Sequence, residues 1–233
     1  MNKFHYLCCI MIDAKIIEAL ARCPVFHGMD RARIEQVMEQ VNYRVVHYDK
    51  GAVYALEDDP CRNVDIVVSG ELSTRMTGQS GKYVDVTRLQ AGNIVAPAFV
   101  YAAANRFPVN VDAATDVDLV RMIPDEFARL VDRNVAVRWN FIGLLSNINH
   151  FMTDKVRFLS LLTVRERIAT MLLAVAKRSG SHVVVLGKSR QELADSFGVQ
   201  KVSLIRCLTA MKDEGAIAID GRRITIVDAS KLK

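Results

Sequence analysis

Lys201, Arg206, Arg222 and Arg223 crowd into one short stretch near the C-terminal end of the chain, with Gln200 and Ser203 among them and Ser189 and Arg190 just before. Guanidinium and ammonium groups donate to phosphate oxygens and, through paired bonds, to guanine O6 and N7. Hydroxyl and amide side chains add contacts that fix register on a nucleic-acid backbone. Grouped in this way, these residue types suit recognition of a nucleic acid. Val202 sits in their midst and has no group that accepts a proton from cytosine N4.

Residues suited to catalysis are scattered. His5, His27, His47, His150 and His182 lie far apart, with no H-x-H pair of the kind a cupin-like metal enzyme would use. No nucleophile elbow, phosphate loop or paired catalytic carboxylate is present. Glu57, Asp58 and Asp59 form an acidic run at a strand-end turn, where solvation is the plain reading. The five cysteines, Cys8, Cys9, Cys23, Cys61 and Cys207, form neither a disulfide framework nor a C-x-x-C metal motif. No metal site and no enzyme activity is expected.

The cations need a scaffold, and the local sequence supplies one. SRQELADSFGVQKVSLIRCLTAMKDEG runs from Ser189 to Gly215. Ser189 with Glu192 has the spacing of a capping box. Leu193, Ala194 and Phe197 follow at helical spacing, and Gly198 stops that helix. A second helix restarts at Gln200 or Lys201, with Leu204, Leu208 and Met211 on its apolar face. Asp220-Gly221 predicts a type I′ hairpin between Ala216–Ile219 and Arg222–Val227. Two helices about a short turn form a helix-turn-helix, whose second helix enters the DNA major groove; the hairpin adds a wing.

Upstream, helices are expected over Asp13 to Ala21 and Asp30 to Val41, split by Pro24 and Gly28. From Tyr43 to Ile123 the chain becomes short β-rich pieces (YRVVHY, AVYAL, VDIVVS, ELSTRM, YVDVTRL, NIVAP, VNVDA and VDLVRMI) punctuated by glycines. Pro124 starts a helix. A long helix from about Val135 to Leu159 carries an apolar stripe through Val137, Phe141, Leu144, Leu145, Ile148, Phe151, Met152, Phe158 and Leu159. So much apolar surface needs partners on more than one side, and the same helix of a second copy would be one. Thr163 to Lys177 is a further helix and Val183–Leu186 a strand.

With 51% apolar and 24% charged residues over 233 positions, the chain has a globular composition and a net charge of +5. The charge is unevenly placed. Residues 1–132 hold 14 Lys and Arg against 18 Asp and Glu, whereas residues 133–233 hold 17 against 8. A basic region carrying a helix-turn-helix is the electrostatic footprint of DNA binding. A pure scaffold with a decayed DNA head would have no use for Lys201, Arg206, Arg222 and Arg223. MNKFHYLCCIMID is too broken for a secretory leader and no run is long enough to span a membrane, so a cytoplasmic protein is expected. Organised helix signals begin only near Asp13, which makes Met11 an alternative start to Met1.

In order and spacing, CPVFHGM, YDKGAVYALEDDPCRNVDIVVSGEL, AGN at Ala91–Asn93, MIPDEF, LLTVRERIATMLL and the Ser189–Gly215 block resemble the Crp/Fnr superfamily of bacterial transcription regulators. The resemblance covers about Leu20 to Asp228. It implies an α+β fold. An N-terminal antiparallel β-roll (jelly-roll-like) sensor domain spans 13–132, a long dimerisation helix 133–160 and a C-terminal winged helix-turn-helix 161–233. It also implies a homodimer on palindromic double-stranded DNA, with RNA polymerase as a further partner. Where members typically carry arginine, glutamate, a threonine or serine and a second arginine, this chain has Lys201, Val202, Ser203 and Arg206, and Val202 puts the usual half-site in doubt. Arg206 is expected at guanine and Lys201 at guanine or phosphate, with Ser189, Arg190, Arg222 and Arg223 positioning the backbone and Gln200 and Ser203 as further DNA-binding residues.

Nucleotide-binding members hold the cyclic phosphate with a glutamate and an arginine after the AGN-type glycine. GNIVAPAFVYAAANRFPVNVDAAT has only Arg106 and Asp112 as charged side chains, so a cyclic nucleotide is disfavoured. An apolar effector pocket is expected from Ile94, Ala98, Phe99, Tyr101, Arg106, Phe141 and Leu145, unless that region is filled core. Haem is the alternative effector, with His150, Met152 and Met76, and further His47 and Cys61, as axial ligands by type. An effector preferring one state would shift the helix pairing and so the spacing of the two recognition helices, about 34 Å when DNA-competent.

Overall fold

The computed structural model describes residues 12–77 and 83–232. His5, Cys8, Cys9, Met11, Gly78 and Gly81 lie outside the described residues. The chain divides into two compact units, one up to Asn149 and one from His150.

In the first unit, helix α1 (Ala14–Arg22) starts at Asp13, whose carboxylate accepts from the Lys15 N–H at 2.9 Å. A 3-10 turn at Pro24–Phe26 leads to α2 (Arg31–Met38), capped by Asp30 on the Arg33 N–H at 2.8 Å. Seven strands follow: β1 (Arg44–Tyr48), β2 (Val53–Ala55), β3 (Val64–Ser69), β4 (Glu71–Thr77), β5 (Tyr83–Gln90), β6 (Asn110–Ala113) and β7 (Val117–Met122). They form two sheets, ordered β1-β7-β3 and β2-β6-β4-β5, with every pairing antiparallel. NIVAP, expected as a strand, makes only the isolated bridge Ile66↔Ile94. Pro97 has no N–H to donate to a ladder, and Ala96 turns the chain with φ +47°.

β3 shows why this is a β-roll backed by helices. Val64, Ile66 and Val68 join the cluster containing α1, α2 and Phe127, Leu130, Val137 and Phe141, whereas Val67 joins Ala55, Leu72, Phe107, Val111 and Leu119 in the roll interior. Both faces are covered, so VDIVVS reads as a nearly continuous apolar run. Its one charge, Asp65, is fully buried and bound to Arg121. After β3, Gly70 turns the chain at φ +78° with the Asp116 carbonyl only 2.0 Å from where a Cβ would stand. Helix α3 (Pro124–Arg133) and the long α4 (Val135–Leu161) complete this part, and the division between the two units falls inside α4.

The second unit contains α5 (Val164–Ser179), β8 (Val183–Val185), α6 (Arg190–Ser196), α7 (Lys201–Asp213), β9 (Ile217–Asp220) and β10 (Arg223–Ile226). A sheet ordered β8-β10-β9 packs with α5, α6 and α7 around Ile168, Leu172, Leu193, Leu204, Leu208, Met211 and Ile224. The hairpin differs from expectation by one residue. Asp220 pairs with Arg223, so Gly221 and Arg222 are the two loop residues, and of these only Gly221 (φ +53°) has positive φ. Glycine at the first loop position is the pattern of a type II′ turn, not the type I′ that Asp-Gly suggested.

No helix among the described residues is long and apolar enough to cross a membrane.

Candidate nucleic-acid interface

α6 begins at Ser189, whose hydroxyl accepts from the Glu192 N–H at 3.2 Å while the Glu192 carboxylate accepts from the Ser189 N–H at 2.6 Å. Both halves of the capping box are present, and those bonds hold the Glu192 carboxyl below its ordinary value. The turn between α6 and α7 pivots on Gly198, in the left-handed region at φ +64°.

That turn is held by Arg167, which the sequence does not single out. Its guanidinium donates to the carbonyls of Leu159 (2.7 Å), Leu162 (2.9 Å) and Phe197. It thereby ties the end of α4, the corner before α5 and the helix-turn-helix turn together. Phe158 stacks edge-on against Phe197 at 5.4 Å, and Lys155 donates to the Ser196 carbonyl at 3.3 Å.

α7 buries Leu204, Leu208 and Met211, as its periodicity predicted. The opposite stripe, Lys201, Val202, Ile205, Arg206 and Thr209, faces solvent together with Ser203. Val202 is 56% and Ile205 42% exposed. No partner is recorded for the Lys201 and Arg206 cations among the described residues, and α7 has no acidic residue in its first turn. Gln200 is the exposed N-cap residue and makes no capping bond with its side chain.

Arg222 and Arg223 are exposed at the wing, and Arg222 helps depress the Glu192 carboxyl. Arg190 is half-buried; its Nη2 donates to the Gly221 carbonyl at 3.1 Å, which fixes the wing turn against the start of α6. Its Nη1 is buried without a partner, and burial lowers the guanidinium's pKa. The structure thus gathers Ser189, Arg190, Arg222 and Arg223 in one region, while Gln200, Lys201, Ser203 and Arg206 share the start of α7. Lys188, exposed beside the Ser189 cap, escaped notice because a lone lysine in a loop carries no pattern.

The expected effector residues in the first unit are partly a packed core. Ile94 and Phe141 are buried in the helix-facing cluster, with Leu145 packed on its edge. Tyr101 meets Phe141 edge-on at 6.4 Å and donates its hydroxyl to the Pro124 carbonyl at 2.7 Å. Phe99 turns to the roll interior and Ala98 is half-buried. Arg106 is exposed and donates to the Asp58 carbonyl at 2.6 Å. Arg106 is the segment's single guanidinium, and it engages the Asp58 carbonyl through one Nη1 N–H.

The haem-ligand candidates are open to water or committed. His150 is 78% exposed beside Asp154, and Met152 and Met76 are 55% and 53% exposed. His47 bonds Asp118 at 2.7 Å, and Cys61 is buried in the roll interior. The cavity lined by Tyr48, Tyr54, Phe107 and Arg121 includes none of the five. Among the described residues no three His, Cys, Asp or Glu side chains are placed to hold a metal.

Residues 45–134 match the family model of the cyclic nucleotide-binding domain, and residues 166–233 that of the Crp-like helix-turn-helix domain. The chain belongs to the Crp/Fnr superfamily of transcription regulators. It is 28% identical to the nitrogen fixation regulation protein FixK of Azorhizobium caulinodans, over 88% of this chain and 83% of that one. It is 24% identical to the transcriptional activator protein FnrL of Cereibacter sphaeroides, over 91% and 89%. The fold is similar to the Thermus thermophilus catabolite activator protein, with a TM-score of 0.54 and 20% identity over 90% of this chain and 96% of that one.

Proposed function

We propose that this Crp/Fnr regulator binds a two-fold symmetric DNA site as a homodimer. The observation that carries the reading is the α7 stripe, in which two cations without a partner among the described residues flank exposed apolar residues on the helix that a helix-turn-helix presents to the groove. Arg206 and Lys201 donate to guanine or phosphate. Val202 has the chemistry to pack on a thymine C5-methyl. Arg190 holds the wing turn at the start of α6, where the exposed Arg222 and Arg223 are free to meet phosphates.

The dimer is supported by α4. Ile142, Met152, Val156 and Leu159 are 43%, 55%, 62% and 37% exposed, and with half-buried Leu145 and Ile148 they follow a three-and-four spacing along one side. Such a seam on a surface helix costs free energy until it is covered.

The β-roll is the sensor in this reading, and its effector is not a cyclic nucleotide. The test is the affinity of the full chain for duplex DNA as salt is raised. A phosphate-contacting dimer loses affinity steeply, about 0.9 logarithmic unit per neutralised phosphate for each decade of salt. A flat dependence would sink the DNA reading. Calorimetry with cyclic AMP and cyclic GMP should give no binding heat; a saturable isotherm would restore a nucleotide effector.

A further inference from the structure

The β-roll carries a cavity of about 360 Å³, which the 92–115 segment reaches only through Phe107. Its wall is a run of rings: Tyr48 and Tyr54 are 5.4 Å apart between centroids, and Tyr54 and Phe107 meet edge-on at 5.8 Å. Beneath them lies the ion pair of Arg121 and Asp65. Arg121 Nε donates to Asp65 Oδ1 at 2.9 Å and Nη2 to Oδ2 at 2.5 Å, while the Tyr54 hydroxyl donates to Oδ2 at 2.8 Å. Asp65 is fully buried, and so much pairing is what a buried carboxylate requires.

The donors left over all belong to the cavity lining. Arg121 Nη2 also donates to the Tyr48 oxygen at 3.1 Å, which uses that oxygen as acceptor and leaves the Tyr48 O–H free to donate. Arg121 Nη1 has no acceptor among the described residues. Arg62 lines the same cavity, is exposed, and has no partner among the described residues; the Asn63 amide lies beside it. Charge is compensated at Arg121 but not at Arg62. Asp59 supplies one carboxylate at the rim, which already accepts the Leu56 N–H at 2.8 Å. It disfavours a second negative charge on a ligand.

We propose that this cavity binds a small monocarboxylate with a flat apolar body. The carboxylate takes the donors of Arg62, Tyr48 and Arg121, and the body lies against Tyr54 and Phe107. No α4 residue lines the cavity, so the site is separate from the Ile94–Phe141–Leu145 region. It holds whether or not the chain binds DNA.

The test is calorimetry on the full chain without DNA, using benzoate and phenylacetate as probes, benzamide as the uncharged isostere and inorganic phosphate as a plain anion. At least one acid should bind, with benzamide and phosphate each at least tenfold weaker. Arg62→Gln removes an unpartnered surface charge, so the fold is unaffected and affinity for the acid should fall tenfold or more. Tyr48→Phe keeps the ring, removes the hydroxyl and should weaken the acid but not benzamide. The proposal is overturned if neither acid binds, if benzamide or phosphate equals them, or if Arg62→Gln binds as the parent does.

Discussion

Lys201 and Arg206 face solvent without partners among the described residues, so replacing either costs the fold little and any loss of DNA affinity reports on the contact itself. Lys201→Ala and Arg206→Ala should each weaken binding to a selected site by about 1–3 kcal/mol. A base contact and a phosphate contact then separate. Loss at a guanine should relax specificity at that position, whereas loss at a phosphate should weaken all sequences alike and flatten the salt dependence. If both variants bind as the parent does, α7 is not the recognition helix. His47 gives a different residue-scale prediction. Its bond to Asp118 raises the imidazole pKa and lowers that of the carboxylate, which Ser69 also holds at 2.8 Å. The histidine's stabilising share is complete below its ordinary value and fades as pH rises through the raised one. The aspartate's share is complete above its ordinary value and is lost as pH falls through the depressed one. A proton NMR titration should find His47 titrating higher in the folded than in the denatured chain; equal values would remove the pairing.

Elements were legible where local chemistry decides them. The Ser189–Glu192 box, the Gly198 corner and the Leu204/Leu208/Met211 face depend on neighbours within a few residues, and all three appear as read. The wing turn slipped by one because Asp-Gly names a turn but strand pairing decides its centre. The cavity beside Tyr48, Arg62 and Arg121 had no signal, since three separated segments build it. Arg167 was equally silent: its three carbonyl acceptors come from two corners. Gly70 shows a turn that sequence marked and packing enforces. Gly70→Ala should cost more than about 1 kcal/mol in denaturant unfolding, from positive φ and the Asp116 carbonyl. A neutral result would mean that the β3–β4 turn relaxes freely. On α4, Leu145 packs partly into the core, so Met152→Glu and Val156→Glu are the cleaner probes of pairing. Both should give monomers by sedimentation with weakened DNA binding; dimers that persist would place the interface elsewhere.

For the whole molecule the decisive features are an uneven charge and an uncovered apolar seam. The excess of basic residues lies in the part that holds the helix-turn-helix, and α4 leaves an apolar seam exposed in a single chain. Both features support the proposed reading of two chains on one duplex. The most direct measurement is selection from a pool of random duplex DNA by the purified full chain, alone and with cell extract to supply an effector, followed by sequencing of the bound fraction. The account predicts a two-fold symmetric motif with half-sites about one helical turn apart, roughly 10 base pairs, whose enrichment disappears for Lys201→Ala with Arg206→Ala. No enriched motif under either condition, or an asymmetric one untouched by those substitutions, would contradict it.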